Sequence, residues 1–338
     1  MFRRSFVLGA ALVALGTSIL FFAWLFRVTP SHRPPTPPVP SSWEALPSGG
    51  ISDVLSRFGL VPWSKPSIFS VAVMIENHED ARPHQRGLDR ALFIGEFLVE
   101  GYISRFVALF DREHLPEQVG PVRSLRPYFL SVIHPWASAL LFAGGSPEAL
   151  QELEGSAVPW VNVLGIDDAP LRDRSVPAPH NMFLRSEHVR SLVGNAARRR
   201  IVWPPYRIGP FPAGSGASVI HLQFFSPLHD VTYTYDTLQE VYIRRSGSVS
   251  EQGKPANVLI LEIPIASEGE YGRLAIHPDG RGRALLFRSG VFQHGFWERS
   301  PDGPFRFFIA DGGPLLFAPG QTWMTVLPSL ERVRWEER

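Results

Sequence analysis

The sequence contains no cysteine. That absence excludes disulfide bonds, thiol nucleophiles, thiolate metal sites and lipid attachment through an N-terminal cysteine, while leaving the compartment open, since proteins outside the cytoplasm need not carry disulfides. Lysine is nearly absent as well: Lys65 and Lys254 are the only two, and the other basic residues are arginine. With a formal net charge of +1 there is no polyelectrolyte surface for nucleic acid. Intrinsic disorder is excluded from the other side, because hydrophobic residues make up 44% of the chain. A chain of 338 residues can bury a substantial core, and its length suggests two domains.

What is present begins at the N-terminus. Arg3 and Arg4 precede a largely apolar stretch from Ser5 to Phe26 that ends FFAWLF before Arg27. It is long enough to span a bilayer and longer than a signal-peptide core. Its end is bulky and aromatic where a cleavage site wants small residues, so residues 1–28 read as an uncleaved transmembrane signal-anchor, with a cleaved signal as the alternative. The leading arginines favour a cytoplasmic N-terminus, and Arg27 and Arg33 weaken that preference. The expected placement is a single pass through the cell membrane with the bulk of the chain extracytoplasmic. Residues 29–50 are a proline-rich tether, extended by composition.

The remainder divides by pattern. Residues 51–203 read as a mixed α/β (α+β) domain, opened by an amphipathic segment over 51–63. Ile68 to Ile75 is a continuous apolar, β-branched run expected as a buried strand. Strands are also expected over Ala91 to Val99, Ser104 to Phe110 and Ala139 to Ala143. Ser124 is a candidate N-cap for a helix to Ile133 with Pro127 in its first turn; Ser146 with Pro147 opens another to residue 154, and Ser186 caps a third through Arg200. Residues 204–216 are a linker by composition. Residues 217–330 carry short strands with glycine or aspartate turns, and period-two alternation is clear from Thr232 to Tyr235, which predicts a mostly antiparallel β domain.

The candidate chemistry centres on QVGPVRSLR, Gln118 to Arg126. Arg123 and Arg126 flank an expected helix start, where forked guanidinium donors beside free backbone N–H groups suit a carboxylate or phosphate. The alternative is that they pair with Glu96, Glu100 or Asp111 and hold loops together. Asn77 and Arg82 follow the C-terminal end of the first buried strand, the usual binding rim of an α/β sheet; a turn asparagine and a surface arginine are the plainer account. Glu100 and Arg105 flank a chain break whose hairpin geometry brings them together, as an ion pair or as an acid–arginine active-site pair. Gly145 and Ser146 lie in a strand–Gly-Gly-Ser–helix arrangement like anion-binding loops, without the lysine of a phosphate loop, and Ser146 reads as a cap before a nucleophile. His180, in the long polar loop over 160–183, is the best general acid–base candidate, and a loop-orienting role is its alternative. His78, His84 and His180 show no zinc-enzyme spacing, so no metal and no cofactor is expected.

Several motifs together resemble one bacterial family. They are NHEDARP from Asn77 to Pro83, Gly87 with Leu88, E-x-x-x-E-G from Glu96 to Gly101, Ser104 with Arg105 and Phe106, GPVRSLRPY from Gly120 to Tyr128, GGS from Gly144 to Ser146, and PHN from Pro179 to Asn181. The chain is similar to the domain-of-unknown-function family that includes a Bacillus lipoprotein, closely over about residues 68–200 and more loosely over 217–330, ending on PGQTW from Pro319 to Trp323. The resemblance implies an extracytoplasmic, membrane-attached setting and brings no established activity. The chain departs from it in having no cysteine for lipid attachment and in lacking a histidine before the strand near Asn257.

Three functions follow as expectations. The first is a cell-envelope protein that binds an anionic component, a cell-wall peptide, glycan or polymer, through Arg82, Arg105, Arg123 and Arg126, with Asn77, Ser124, Gly145, Ser146 and Asn181 beside them. The second is a cell-wall hydrolase or transferase with Glu100 or Asp111 and His180 as acid–base partners. The third is a scaffold for other membrane proteins. Oligomeric state is left open.

Overall fold

The computed structural model describes residues 65–166, 170–194, 199–210, 214–247, 249–250, 253–268, 272–301 and 303–337. Among them no helix is long and apolar enough to cross a membrane. That finding corrects the expectations of a transmembrane signal-anchor, of the membrane as a partner and of single-pass localisation. The stretch on which they rested, Ser5 to Phe26, lies outside the described residues, as do the tether at 29–50 and the segment at 51–63.

The strand β1 (Ser70–Glu76) is buried along its whole length. An unbroken apolar run with no polar alternation has no face to give to water, so it occupies a sheet interior. The hairpin β2 (Phe93–Leu98) and β3 (Ser104–Asp111) turns through Glu100–Tyr102, where Gly101 takes a positive φ of 69°. Next come α1 (Pro127–Ile133), β4 (Ala139–Phe142), α2 (Pro147–Leu153) and β5 (Trp160–Asn162), then β6 (Met182–Arg185) and α3 (Ser186–Val193). The second half is almost entirely strand: β7 (Val219–Leu222), β8 (Val231–Asp236), β9 (Val241–Ser246), β10 (Asn257–Glu262), β11 (Gly280–Arg288), β12 (Val291–Arg299), β13 (Thr322–Leu327) and β14 (Val333–Glu336). A mixed α/β first half followed by a mostly antiparallel β half is the expected class.

Both halves build one eleven-stranded sheet, whose central order is β12-β11-β10-β13-β2-β3-β1-β4-β5. The join is β13, which pairs in parallel with β10 on one side and β2 on the other. A second, antiparallel sheet in the order β9-β8-β7-β14 lies over it, and Tyr233 of β8 meets Trp323 of β13 at a ring separation of 6.5 Å.

The helix starts separate two kinds of serine. Ser146 caps α2 as expected, accepting from Ala149 N at 3.3 Å with Pro147 at the first position. Ser124 is not the cap of α1: that place is Arg126, and Ser124 Oγ donates to Ala143 O at 3.1 Å. The reason is that the backbone from 122 to 125 stays extended, with Arg123 N bonded to Met74 O and Leu125 N to Gly144 O, both at 2.9 Å. Helix α3 is shorter than expected, ending at Val193 with Gly194 at its C-cap.

Candidate functional site

The extended stretch from Pro121 to Arg126 threads between the ends of β1 and β4. Glu76 N donates to Pro121 O at 2.9 Å, and Ala143 N to Arg123 O at 3.0 Å. Val122 and Leu125 are buried and pin the segment, which leaves Arg123 and Arg126 on its open side. On the neighbouring strand Arg105 stands directly across from Glu76 in the antiparallel register of β1 and β3. Three arginines from two parts of the chain thus reach one pocket of about 460 Å³. Its walls include Glu76, His78, Glu100, Gly145, Ser146 and Arg273.

The charges in this pocket do not balance. Glu76 is buried and in ion-pair contact with Arg123 through Nε and Oε2, while Arg105 Nη2 lies 4.0 Å from Oε1. Two guanidinium groups therefore share one carboxylate. Arg126 is satisfied, forking Glu100 with bonds of 2.6 and 2.9 Å, and Arg273 pairs with Glu148 at 2.7 Å. Arg105 donates to Ser124 O at 3.0 Å, and burial holds its guanidinium below the ordinary value; Glu76 opposes that, and the like charges of Arg126 and Arg123 add to it. Burial works against the charge on Glu100, yet Arg126 prevails and keeps that carboxyl below the usual range. Gly145 lets the loop pack closely on α2, because a Cβ there would stand 3.0 Å from Leu150 Cδ2.

His180 approaches from the loop before β6. Its Nδ1 lies 3.7 Å from Glu76 Oε2, and its ring stacks on His78 at 5.1 Å. Burial pushes the imidazole below its ordinary value, with Glu76 opposing and Arg123 adding to the effect, so the ring is neutral near neutral pH. Asn181 holds the loop, accepting from Arg172 at 3.0 Å.

Other expected site residues go elsewhere. Asp111 sits at the opposite end of β3 from Arg105, about 20 Å away at ordinary strand rise, where it bonds His114. Arg82 turns away from the pocket and latches onto the second half, donating to Leu228 O and contacting His229 Nδ1. Asn77 joins a buried chain in which Arg82 and Gln85 donate to its oxygen and its amide donates to Ser104 Oγ at 2.7 Å. Ser104 in turn donates to Glu96 at 2.6 Å, and Glu96 accepts two bonds from Arg244 at 2.8 and 3.0 Å, one from Trp323 and one from Thr325. This is a structural relay between the halves.

Sequence reasoning passed over Glu76 and Arg273, and weighed His78 only as a metal ligand. The rim argument that singled out Asn77 applies equally to Glu76, one residue earlier on the same strand end. Arg273 comes from a distant loop with no local signal.

Two family descriptions match this chain: the N-terminal domain of the protein of unknown function DUF3048 over residues 64–199, and its C-terminal domain over residues 220–324. The chain belongs to this family. Within it, the chain is 32% identical over 279 residues to YerB of Bacillus subtilis strain 168, a protein named as a lipoprotein, covering 77% of this chain and 82% of that one. The crystal structure of Bacillus subtilis YerB is similar at a TM-score of 0.71 and 27% identity, over 82% of this chain and 97% of that chain. The overall fold is thus similar to that of a solved relative, and no activity comes with the family's description.

Proposed function

We propose that this family member is an extracytoplasmic protein of the cell envelope that binds an anionic group, a carboxylate or phosphate borne by a cell-wall peptide, glycan or polymer. The observation that carries the reading is the sharing of Glu76 by Arg105 and Arg123 at the floor of a pocket also walled by Arg126. A second oxyanion would supply the charge that the single carboxylate leaves over and would accept from forks already oriented by their neighbours. A relative named as a lipoprotein supports the envelope setting.

The test is calorimetric titration of the purified protein with cell-wall fragments and anionic polymers, alongside chromatography of the mixture. Binding that is lost in an Arg105→Ala, Arg123→Ala variant while the ligand stays intact supports recognition. No binding with any of these ligands, from folded protein, counts against it.

A second reading rests on one specific observation, the approach of His180 to Glu76 at 3.7 Å. A neutral imidazole beside a carboxylate at the pocket edge is a general acid–base pair for a hydrolase or transferase, with Glu76 in the role expected of Glu100 or Asp111. Chromatography that finds ligand cleaved by the wild-type protein but not by His180→Ala would favour this reading.

A further inference from the structure

Beside the arginine pocket three side chains of metal-binding chemistry converge. His78, Asp80 and His180 each offer a ligand atom, and these atoms all lie within 4.8 Å of one another. They come from two places: the turn after β1 carries His78 and Asp80, and the loop before β6 carries His180. His180 is buried, and its Nδ1 makes no hydrogen bond among the described residues. Asp80 is open to solvent, with 73% of its side chain exposed, which provides an entry path.

We propose that His78, Asp80 and His180 bind a divalent transition cation of the zinc class. Two imidazoles and a carboxylate match the donor set of such ions, whereas magnesium and calcium prefer oxygen alone. Ligand atoms at about 2.0–2.1 Å from a tetrahedral ion stand roughly 3.3 Å apart, so the widest of these separations must close by at most about 1.5 Å. His78 Nδ1 lies 3.5 Å from Asp80 Oδ2, so these two donors already stand near ligand spacing. Three protein ligands leave a coordination position open, and His78 lines the arginine pocket, so cation and arginines would face one ligand from two sides. The inference goes beyond anion binding and does not depend on it.

The experiment strips the full chain of metal with a chelator and titrates it with zinc chloride by calorimetry, with magnesium chloride as the hard-cation control. Cobalt absorption provides a spectroscopic readout of the same site. One zinc per chain and no magnesium binding are expected. Asp80→Asn and His180→Ala are each expected to weaken zinc by on the order of 100-fold or more, and His84→Ala to leave it unchanged. Because Asp80 is exposed, Asp80→Asn keeps the test decisive even where His180→Ala does not fold. Zinc binding that is absent, or equal in wild type and Asp80→Asn, overturns the proposal. Phosphate titrated into the same proteins separates the two ideas, because failure of zinc with phosphate binding intact removes the metal site and leaves the arginine site standing.

Discussion

The buried Glu96–Arg244 pair is the most exacting place to perturb the molecule. Both side chains have no exposure, and they tie β2 to β9 across the two sheets. Arg244 is enclosed by Trp323, Phe106 and Tyr233, with the Trp323 ring 4.4 Å from its guanidinium carbon. Replacing Glu96 by leucine strands a buried guanidinium, worth about 3–5 kcal/mol. It also removes the acceptor of Trp323 Nε1, roughly 1–3 kcal/mol more, while the Ser104 and Thr325 hydroxyls can rotate to other partners. The expected loss is roughly 4–8 kcal/mol, or about 8–16 °C in Tm at roughly 2 °C per kcal/mol for a protein of this size. Converting Arg244 to methionine as well removes the orphaned charge, so the double variant should be more stable than Glu96→Leu alone, though still below wild type because Trp323 lacks its acceptor. Urea unfolding of the four proteins of this cycle, with scanning calorimetry beside it, measures the coupling. A Glu96→Leu loss below about 1 kcal/mol, or a double variant that loses the sum of the two singles, would refute the reasoning.

Two further outcomes can be measured directly. Glu100→Gln should release the Arg126 fork into the pocket and raise phosphate affinity by roughly three- to tenfold, read by calorimetry; a fall in affinity would mean that Glu100 positions Arg126 for the ligand. Acid should weaken the fold through His229, whose imidazole is held below its ordinary value by burial first and by Arg82 second, against the pull of Glu79. Below about pH 6.5 the unfolded chain takes up a proton that the folded chain refuses, so stability present above that pH is lost as pH falls toward the folded value. The Tm difference between pH 7.5 and 5.5 should therefore shrink in His229→Gln, and an unchanged difference would show that another group sets the slope.

Local pattern revealed what local physics determines. The run from Ile68 to Ile75 announced a buried strand because its apolar, β-branched side chains show no polar alternation, and Ser146 with Pro147 announced a helix start because a capping hydroxyl followed by proline suits the first turn. Arg123 and Arg126 were singled out by the expected helix start, Arg105 by the hairpin and Gly145 by its loop, and the pairing of Arg126 with Glu100 stood among the alternatives. What stayed hidden depends on distant partners. Arg82 looks the same in sequence whether it faces a ligand or the Leu228 carbonyl, and Asp111 looks like a partner for Arg105 until an extended strand carries it to the far end. Ser124 fits a helix cap by type, but the sheet claims its backbone first. The convergence of His78 and Asp80 with His180 has no spacing signature, because the turn and the loop meet only in the folded chain.

The position of β13 bears on how the protein is made. As the chain emerges N-terminus first, β2 is complete at Leu98, yet the strand that must lie beside it ends at Leu327. Until then the first half carries an open hydrogen-bonding edge lined by apolar side chains, a surface inviting to any other extended segment in reach. Synthesis must therefore carry an incomplete sheet, and a guardian that shields the β2 edge would be needed longest by the part of the protein that is made earliest.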